Sequence, residues 1–547
     1  MLLELRGRGY EELRREFRWR IPPTLNIATV CADRHPPHAL ALVVVPPNGK
    51  APRNYTFGEV TRLSRQLANV LRELTIRPGD RVGIVLPQGI EAAIAHLAVY
   101  RLGAVALPLS ILFGPDALRF RLLDSGARAV VTDDEGAQKI LDLAGELPDL
   151  EVILSRGSAD RQKPRVVDLW QSIQSASVTF ETIITSSEDP ALLIYTSGTT
   201  GAPKGALHAQ RVLLGHLPGF ELSHDFFPQP GDLFWTPADW AWIGGLMDAL
   251  LPSWYHGVPV VAAPRRGFDP EWCFWLLAEY RIRNVFLPPT ALKMMRQTDA
   301  RRRNLSLRTV MSGGEVLGAE VLKWGQEVLG VTINEIYGQT EANYVVGNCA
   351  AAWPVRPGSM GRAYPGHDVE ILAGDRDPAP PGVVGEIGVR LPDPVAFLGY
   401  WRQPEATREK VKDGWLRTGD IAAKDEDGYL WYKARSDDVI ISAGYRIGPS
   451  EIEECLLRHP AVALAAVIGV PDETRGQAIK AFIVLKEGVV PSSELEQEIR
   501  TFVRKRLAAY QYPRYVEFVS NLPLTTTGKV RRAELRQAEE QRRRDTR

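Results

Sequence analysis

The sequence predicts an α/β protein. A large N-terminal domain of doubly wound parallel sheets flanked by helices, with an antiparallel β layer, is followed by a small C-terminal α+β domain. Three observations carry this prediction. At 547 residues the chain exceeds what one hydrophobic core usually serves. From about residue 80, short β-branched runs alternate with helical patterns. After about residue 380, strands with tight turns lead into a second compact unit.

The alternation is clearest at residues 81–133. Five segments there predict strand, helix, strand, helix and strand: RVGIVLP, EAAIAHLAVYRLG, AVALPL, PDALRFRLLDSG and ARAVVTD. The rhythm continues with the short apolar runs VPVVAAP, NVFLPP, RTVMSGG and INEIYGQ. Such alternation predicts parallel strands joined by helices that cover both faces of a sheet. Ligands of such sheets bind at the loops that follow the carboxyl ends of the strands.

The last third of the chain predicts antiparallel strands and then the small domain. GEIGVRL and DGYLWYKARSDDVIISAGYRIG predict the antiparallel layer. A helix begins at Ser450, which has the spacing of a capping box with Glu453. Two strands, a helix and a further strand complete the unit. The predicted domains are residues 1–434 and 439–547, joined by a short polar hinge at residues 435–438.

Composition narrows the class of protein. Lys and Arg together number 66, as do Asp and Glu, so no excess charge favours nucleic acid or an anionic membrane as a partner. The four cysteines form no C-x-x-C pair, which favours a reducing cytoplasm over a disulfide framework or a zinc knuckle. The N-terminus lacks the apolar core of a signal peptide. The longest apolar stretch is broken by His96, Arg101 and Pro108, so no membrane span is expected.

One loop indicates phosphate chemistry. In LLIYTSGTTGAPKGALHA, residues 192–209, a buried-strand pattern runs into a loop rich in glycine and hydroxyl side chains. Exposed backbone N–H groups and hydroxyls can cradle phosphate oxygens, and Lys204 adds a positive charge. The spacing is not that of the P-loop G-x-x-x-x-G-K-[ST], so a P-loop NTPase is disfavoured. Taken alone, the loop could also be an ordinary surface turn.

The segment YTSGTTGAPKG resembles the signature loop of the AMP-forming adenylating superfamily, which includes acyl-CoA synthetases, luciferases and peptide-synthetase adenylation domains. Five further blocks resemble segments of this family and follow in the family's order: SGGEVL (312–317), EIYGQTEAN (335–343), GWLRTGD (414–420), KARSDDVIISAGYRIGPSEIE (433–453) and LPLTTTGKVRR (522–532). The six blocks span most of the chain from Tyr195 to Arg532. They are most similar to medium-chain acyl-CoA synthetases and acetyl-CoA synthetase-like enzymes.

The resemblance implies a reaction with two halves. A carboxylate attacks the α-phosphate of ATP to give an acyl-adenylate and pyrophosphate, and a thiol, usually that of coenzyme A, then displaces AMP. ATP and coenzyme A would be co-substrates, and Mg²⁺ would be the cofactor. The residues that the resemblance marks as catalytic are Lys529, Thr340, Glu341 and Lys204. Glu341 would be the metal ligand, because a hard cation prefers carboxylate oxygen.

Lys529 resembles the lysine that bridges the attacking carboxylate and the α-phosphate, where charge develops in the transition state. From its surroundings alone it could also be a solvated lysine near a charged terminus. Asp420 and Arg435 would contact the ribose, and Tyr337 would stack on the adenine. The complete set of predicted ATP-binding residues is Thr196, Ser197, Gly198, Thr199, Thr200, Lys204, Gly314, Glu315, Glu335, Tyr337, Thr340, Asp420, Arg435 and Lys529.

Asp437 resembles the hinge about which the small domain rotates between the two half-reactions. The rotation is needed because Lys529 must leave the site before a thiol can enter. In the rotated state Gly444 would let the backbone approach the pantetheine of coenzyme A, and Arg446 would reach a phosphate. Gly444 could equally be a turn residue, and Asp438 is a candidate partner for a nearby arginine.

The acyl pocket is expected around WTPADWAWIGGL, residues 235–246. Members that accept only acetate have a tryptophan at the position of Gly338, so the missing side chain predicts a deeper pocket here. A hydrophobic cavity gains about 0.8 kcal/mol per buried methylene, which favours a medium-chain, branched or aromatic monocarboxylic acid over acetate. The tryptophans of the segment could line the cavity or pack in the core. The predicted pocket residues are Trp240, Ile243, Gly244, Gly313 and Gly338, with Trp235 and Trp242 as further candidates.

Two alternatives from other classes remain open. A stand-alone adenylation enzyme would load the thiol of a carrier protein instead of coenzyme A. A non-enzymatic nucleotide sensor would be expected to lack Lys529, Glu341 or Lys204, and all three are present. Nothing in the sequence indicates the oligomeric state.

Overall fold

The computed structural model describes residues 6–47, 51–155, 164–196, 203–265, 267–298, 304–315, 317–374, 377–435, 438–442, 445–472, 476–507, 511–525 and 529–545. In the first part of the chain the elements are α1 (Tyr10–Glu16), β1 (Leu40–Val44), β2 (Arg53–Thr56), α2 (Phe57–Glu73), β3 (Arg81–Val85), α3 (Ile90–Arg101), β4 (Val105–Pro108), α4 (Pro115–Ser125), β5 (Ala129–Thr132), α5 (Asp134–Asp142), β6 (Val152–Ser155), β7 (Arg165–Asp168), α6 (Leu169–Ser175), β8 (Pro190–Thr196), β9 (Lys204–Ala209) and α7 (Val212–Ser223).

The middle of the chain continues with short strands and helices. Its elements are β10 (Phe234–Trp235), α8 (Ile243–Gly245), α9 (Leu251–Tyr255), β11 (Val260–Ala262), α10 (Pro270–Glu279), β12 (Asn284–Phe286), α11 (Pro289–Arg296), β13 (Thr309–Gly313), α12 (Ala319–Trp324), β14 (Ile333–Gln339) and β15 (Ala342–Gly347). Irregular helical turns at Thr29–Asp33, Ala144–Glu146, Leu246–Leu250 and Gly325–Leu329 extend or connect these helices.

The remaining elements are largely strands. They are β16 (Gly361–Ala363), β17 (Val369–Leu372), β18 (Val384–Arg390), β19 (Gly399–Tyr400), α13 (Pro404–Lys410), β20 (Val411–Lys412), β21 (Trp415–Lys424), β22 (Tyr429–Arg435), β23 (Ile440–Ser442), β24 (Tyr445–Ile447), α14 (Pro449–Leu457), β25 (Val462–Asp472), β26 (Gly476–Leu485), α15 (Ser493–Arg504), β27 (Tyr515–Phe518) and α16 (Arg532–Asp545). In the ranges given above, no helix is both long and apolar enough to cross a membrane.

Two large sheets form the N-terminal domain. One has the strand order β19-β9-β8-β4-β3-β5-β6-β7, and β3 pairs in parallel with both β4 and β5. The other runs β17-β18-β21-β22-β16-β15-β14-β13-β12-β10-β11-β1-β2, with β20 beside β21. Residues of α2 and α3 join those of β1, β3 and β11 in the largest core cluster, so the two sheets share one hydrophobic core. This confirms the predicted α/β class.

The antiparallel strands extend the parallel half of the second sheet. Strands β12, β13 and β14 pair in parallel, and β15 then pairs antiparallel with β14. Of the predicted antiparallel layer, β18 and β22 are therefore continuous with the parallel strands in one sheet, whereas β23 and β24 belong to the sheet of the small domain. As a result, the carboxyl ends of β13 and β14 lie close to β21 and β22, which brings the predicted nucleotide-binding segments together.

The small C-terminal domain is built on a third sheet. Its strand order is β24-β23-β26-β25, with β27 parallel to β26. Helices α14 and α15 pack on this sheet through apolar residues such as Ile452 and Ile499, which belong to the core of the small domain. The division of the chain at residues 435–438 remains a prediction, and within it Asp437 lies outside the described residues.

The predicted capping box at Ser450 is wrong. Helix α14 begins at Pro449 and has Gly448 as its N-cap, with no capping side chain. A Cβ on Gly448 would lie 2.1 Å from the carbonyl oxygen of Lys433, so the close approach of the last strand of the large domain requires glycine here. Proline is well suited to the first helical position, which explains the earlier start of the helix.

Glu453 has another role in the structure. Its carboxylate accepts from Arg532 at 2.6 Å and 3.1 Å and from the backbone N–H of Val467 at 2.7 Å. Arg532 and Arg536 also donate to Asp438, at 3.1 Å and 2.7 Å. The expectation that Asp438 pairs with a nearby arginine is thus confirmed. This network fixes the start of α16, and with it the segment that carries Lys529.

A buried ion pair holds α3 to the N-terminal segment. The Arg101 side chain is completely buried and contacts the two carboxylate oxygens of Asp33 at 2.6 Å and 2.8 Å. It also donates to Ser64 at 2.9 Å and to Thr182 at 3.0 Å. Burial alone would raise the pKa of Asp33, but the hydrogen bonds and charge of Arg101 outweigh it and lower that pKa. Ionised Asp33 therefore stabilises the fold at neutral pH, and this contribution is lost as the pH falls through its folded-state pKa.

We expect Arg101→Met to lower the free energy of unfolding by about 3 kcal/mol, because it leaves a mostly buried carboxylate without its partner. Arg65→Met is the matched control, since Arg65 approaches the same Asp33 oxygen at 3.5 Å but its side chain is 36% exposed. That variant should cost less than about 1 kcal/mol. Urea denaturation of both variants measures the difference. Equal losses of stability would contradict the assignment.

Candidate active site

A cleft of about 3680 Å³ lies between the large domain and the small domain. We refer to it as the interdomain cleft. It lies at the carboxyl ends of β13 and β14, where the ligands of parallel sheets bind. The predicted site residues that line it are Thr196, Lys204, Ile243, Gly244, Gly313, Gly314, Glu315, Glu335, Tyr337, Gly338, Thr340, Glu341, Asp420, Arg435 and Lys529.

Lys529 reaches across the interdomain cleft from the small domain. Its loop is closed by backbone and hydroxyl bonds with Thr525: Thr525 N donates to Lys529 O at 2.7 Å, and Lys529 N donates to Thr525 Oγ1 at 3.0 Å. The Lys529 Cε and Nζ atoms lie 3.7 Å and 3.9 Å from the position that a Cβ would take on Gly314. Gly314 has φ +95°, which glycine adopts without strain. The lysine head group therefore lies directly against Gly314, which is one of the predicted ATP-binding residues.

The pKa of Lys529 depends on the surfaces and charges of the interdomain cleft. The residue is exposed to the water in the cleft, yet the walls displace enough solvent to lower its pKa. Glu315 and Asp420 oppose this effect through their negative charge, and Arg435 adds to it. Two carboxylates and two cations from different segments thus act on one another at this point, although they are far apart in the sequence.

Asp420 is the centre of a hydrogen-bonded group on β21. Tyr337 Oη donates to Asp420 Oδ2 at 2.7 Å, and Gln339 Nε2 approaches the same oxygen at 3.3 Å. Arg435 lies opposite Asp420 in the pairing of β21 with β22. Burial raises the pKa of Asp420, and the charge of Arg435 counteracts it. The Tyr337 ring is thereby anchored through its hydroxyl, as a rigid platform at the wall of the cleft.

Glu335 and Glu315 are two further acidic residues that line the interdomain cleft. Glu335 is nearly completely buried and accepts from the backbone N–H of Leu317 at 3.3 Å. Burial raises the pKa of Glu335 to about 8, so this carboxyl is largely protonated at neutral pH. Glu315 accepts from Thr290 Oγ1 at 3.1 Å. The two carboxyl groups are therefore both oriented by neighbouring groups.

Tyr400 connects two of the predicted phosphate-site residues, and the sequence analysis missed it. Its hydroxyl donates to Glu341 Oε1 at 2.5 Å, and Lys204 Nζ lies 5.2 Å from the centre of its ring. The Glu341 backbone oxygen accepts from Phe397 N at 2.9 Å, which ties the turn after β14 to the segment before Tyr400. Tyr400 lies outside the blocks that carry the resemblance, so no sequence signal marked it.

Lys410 is a second cleft residue that the sequence analysis missed. It lines the interdomain cleft at the end of α13 and donates to Thr418 O at 2.9 Å. Burial lowers the pKa of Lys410, while the charges of Glu341 and Asp420 raise it. Lys410 stands just before the GWLRTGD block, but a single lysine at a helix end carries no distinctive spacing.

The expected extra depth of the acyl pocket is not found beside its glycines. A Cβ on Gly338 would lie 2.4 Å from Tyr344 N and 2.6 Å from Asn343 Oδ1. A Cβ on Gly244 would lie 2.9 Å from a ring carbon of Phe286. A Cβ on Gly313 would likewise lie 2.6 Å from the Ile336 side chain. The inference from missing side chains is therefore wrong, because neighbouring groups already fill these spaces.

Trp240 does not belong to the wall of the interdomain cleft. Its side chain is 2% exposed and lies in the largest core cluster. Trp242 is half-buried, lines the cleft, and meets Phe113 edge to face at 5.8 Å. Trp235 also borders the cleft. Trp240, the tryptophan included in the predicted pocket, is thus a core residue.

Several predicted residues cannot be placed. Ser197, Gly198, Thr199, Thr200, Asp437 and Gly444 lie outside the described residues, as does the side chain of Arg446. The backbone of Arg446 pairs with Ile441 in the hairpin of β23 and β24. The roles of these residues in binding phosphate, in the hinge and in binding coenzyme A therefore remain predictions.

Glu341 fits a magnesium ion that is held mainly by phosphate. In the ranges described above, no group of three or more His, Cys, Asp or Glu residues could hold a metal by itself. Mg²⁺ commonly binds through one or two carboxylates, water and substrate phosphates, so a single carboxylate in a phosphate site is an adequate protein ligand. The Tyr400 bond fixes one Glu341 oxygen and thereby orients the other.

The adenylate-forming enzymes share this architecture. They have two α/β domains, and a lysine of the small domain lies against the nucleotide-binding residues of the large domain. Residues 29–401 match the family model described as AMP-binding enzyme, and residues 451–529 match the AMP-binding enzyme C-terminal domain. The chain therefore belongs to the AMP-binding enzyme family, among its AMP-forming acyl- and aryl-CoA ligases.

Three relatives illustrate this membership. The chain is 33% identical to acetyl-coenzyme A synthetase of Bacillus subtilis (strain 168), over 97% of this chain and 95% of the relative. It is 36% identical to the human mitochondrial acyl-coenzyme A synthetase ACSM4, over 90% and 86%. The crystal structure of the anthranilate CoA ligase AuaEII in complex with anthranoyl-AMP superposes with a TM-score of 0.86 at 30% identity, covering 95% of this chain and 98% of that one.

Proposed function

We propose that this enzyme activates a monocarboxylic acid larger than acetate with ATP and transfers the acyl group to coenzyme A. The observation that carries the proposal is the convergence of Lys529, Glu341 and Lys204 on one cleft together with Asp420. These residues come from four separate segments, and the family resemblance assigns each of them a role in the reaction.

The cations of the site would reduce the repulsion between the negatively charged acid and the phosphates of ATP. A carboxylate about 4 Å from one phosphate charge is repelled by roughly 4 kcal/mol at an effective dielectric constant near 20. Lys529 is the group that would offset this repulsion where the acid meets the α-phosphate, because its head group lies against Gly314. Lys204 would neutralise the outer phosphates from the other side. Mg²⁺, held by Glu341 with the phosphates, would supply further charge neutralisation.

The position of Lys529 also bears on the second half-reaction. Lys529 extends into the interdomain cleft from the small domain and lies against Gly314, so a thiol could reach that point only after the small domain moves. We propose that the move occurs about Asp437 and that Gly444 and Arg446 then contact coenzyme A. A carrier-protein thiol as acceptor is the alternative, and the same movement would serve it.

The preference for an acid larger than acetate is supported by the residues that form the pocket wall. Ile243, Phe286 and Ile336 line the cleft and offer apolar surface. Acetate is nevertheless the substrate named for one relative, so it belongs in any panel of test acids.

The proposal is tested by following ATP-dependent pyrophosphate release and coenzyme A-dependent AMP release with acids from acetate to decanoate and with benzoate. We expect pyrophosphate release with acids larger than acetate, and AMP release that requires coenzyme A. A carrier protein in place of coenzyme A tests the alternative acceptor. A folded enzyme that releases no pyrophosphate with any acid of the panel would overturn the proposal.

A further inference from the structure

The wall of the acyl pocket contains a polar group that the reaction does not use. Asp248 is 3% exposed and Asn343 is 4% exposed, and both line the interdomain cleft beside Gly244 and Gly338. Asn343 Nδ2 donates to Asp248 Oδ1 at 2.7 Å and contacts His216 Nε2 at 3.3 Å. A buried carboxyl in an acyl pocket is costly, so it calls for an explanation.

The hydrogen bonds fix the direction of every donor in this group. His216 Nδ1 lies 2.7 Å from the carbonyl oxygen of Val212, which can only accept, so the proton of neutral His216 is on Nδ1. His216 Nε2 is then an acceptor, and the two hydrogens of the Asn343 amide are directed to it and to Asp248 Oδ1. Burial lowers the pKa of His216 to about 4, in agreement with a neutral ring.

Two acceptor oxygens remain without a donor. Among the described residues, neither Asp248 Oδ2 nor Asn343 Oδ1 receives a hydrogen bond, whereas the other polar atoms of the two side chains are paired. Asp248 Oδ2 lies 3.6 Å from the Cβ position of Gly244, and Asn343 Oδ1 lies 2.6 Å from that of Gly338. Both glycines border the cleft, so both oxygens lie at the wall of the acyl pocket.

A nearby aspartate, Asp239, provides a comparison in which both carboxylate oxygens accept hydrogen bonds. Asp239 lies in the same segment and also lines the cleft, but its oxygens accept from Ala241 N at 3.0 Å and from Ser110 Oγ at 2.8 Å. Burial raises the pKa of both aspartates, and most strongly that of Asp248, which has one amide donor and no cation. Without a further donor the raised pKa favours protonated Asp248, whereas a donor at Oδ2 would favour the ionised form that accepts. In the described part of the chain, both carboxylate oxygens of Asp239 thus have a donor, whereas one carboxylate oxygen of Asp248 has none.

We propose that the acid activated by this enzyme carries a hydrogen-bond donor, a hydroxyl or an amino group, that binds Asp248 Oδ2 and Asn343 Oδ1. This inference rests on the proposed function and specifies its substrate class. A donor in the substrate satisfies the two open acceptors, whereas a plain alkyl or phenyl group leaves them buried and unpaired. The hydroxyl and the amine share this chemistry, and the test separates them.

The test compares matched acids: butanoate, hexanoate and benzoate, each with its terminal or ring hydroxy and amino derivatives. Binding is measured by calorimetry with an ATP analogue methylene-bridged between the α- and β-phosphates, and turnover by pyrophosphate release with ATP. For at least one framework we expect a donor-bearing acid to bind about ten- to a hundredfold more tightly than its plain counterpart, as hydrogen bonds to a charged group allow.

Two variants separate a specificity role from a structural one. Asp248→Asn keeps the shape and the Asn343 bond but turns a donor toward the pocket, so the preference for donor-bearing acids should fall about ten- to a hundredfold. Asp239→Asn is the matched control and should leave that preference as in the wild type. Thermal unfolding and ATP-analogue binding check that both variants are folded.

The outcomes distinguish this inference from the proposed function. Pyrophosphate release without any preference for donor-bearing acids would overturn the inference and leave the proposed function standing. Tighter binding of donor-bearing acids without pyrophosphate release would support the inference about the bound acid and overturn the proposed function. An unchanged preference in Asp248→Asn, or no binding of any acid in the panel, would overturn the inference as well.

Discussion

Lys529→Ala should reduce pyrophosphate release by on the order of a thousandfold while thioester formation from supplied acyl-adenylate continues. The reason is that Lys529 lies against Gly314, where the attacking acid and the α-phosphate would meet, and no other described cation occupies that point. Once the adenylate exists, the repulsion between acid and phosphate has already been overcome. The two half-reactions are measured separately, by pyrophosphate release and by conversion of synthetic acyl-adenylate with coenzyme A.

Lys505→Ala is a suitable control for this variant. Lys505 is exposed at the end of α15 in the same small domain and lies away from the interdomain cleft, so both half-reactions should proceed at wild-type rates. If Lys529→Ala slowed the two half-reactions equally, the lysine would instead be needed for the structure of the small domain.

Glu341→Gln should lower pyrophosphate release by on the order of a hundredfold and shift its Mg²⁺ dependence to higher concentration. The substitution keeps an oxygen that can accept from Tyr400 at the observed 2.5 Å, so the turn after β14 should hold its shape. What is lost is the negative charge that a hard cation prefers. Magnesium titrations of wild type and variant at saturating ATP measure the shift.

The comparison for Glu341→Gln is Glu327→Gln. Glu327 is exposed, forms a 3.8 Å pair with Lys323 and is not among the residues that line the cleft, so its loss should change neither the rate nor the magnesium dependence. A Glu341→Gln enzyme with reduced activity but an unchanged magnesium titration would show that this carboxylate positions Tyr400 and does not bind the metal.

Much of the fold could be predicted from the sequence because parallel strands and their helices leave strong local patterns. The segments around β3, β4 and β5 were read correctly, since each is buried along nearly its whole length. The error at Ser450 has a tertiary cause. The start of α14 is set by contact between Gly448 and Lys433, and no pattern within the helix shows that contact.

The site was predictable where its residues lie in compact motifs and unpredictable where they meet only in three dimensions. Asp420 and Lys529 stand inside recognisable blocks. Tyr400 and Lys410 do not, and they enter the site through the pairing of β19 with β9 and the position of α13. The pocket depth was misjudged because a glycine in a sequence shows that a side chain is missing, but not what fills its place.

The tightly enclosed glycines restrict how this enzyme could be redesigned. Mutagenesis to narrow a substrate site usually begins by adding bulk at glycine, but Gly244 and Gly338 would need their neighbours displaced before they could accept even one methyl group. An engineer who wished to change the range of acids would have to begin with Phe286 or Asn343. The side chains that face the glycines are therefore the positions at which the range of acids could be changed.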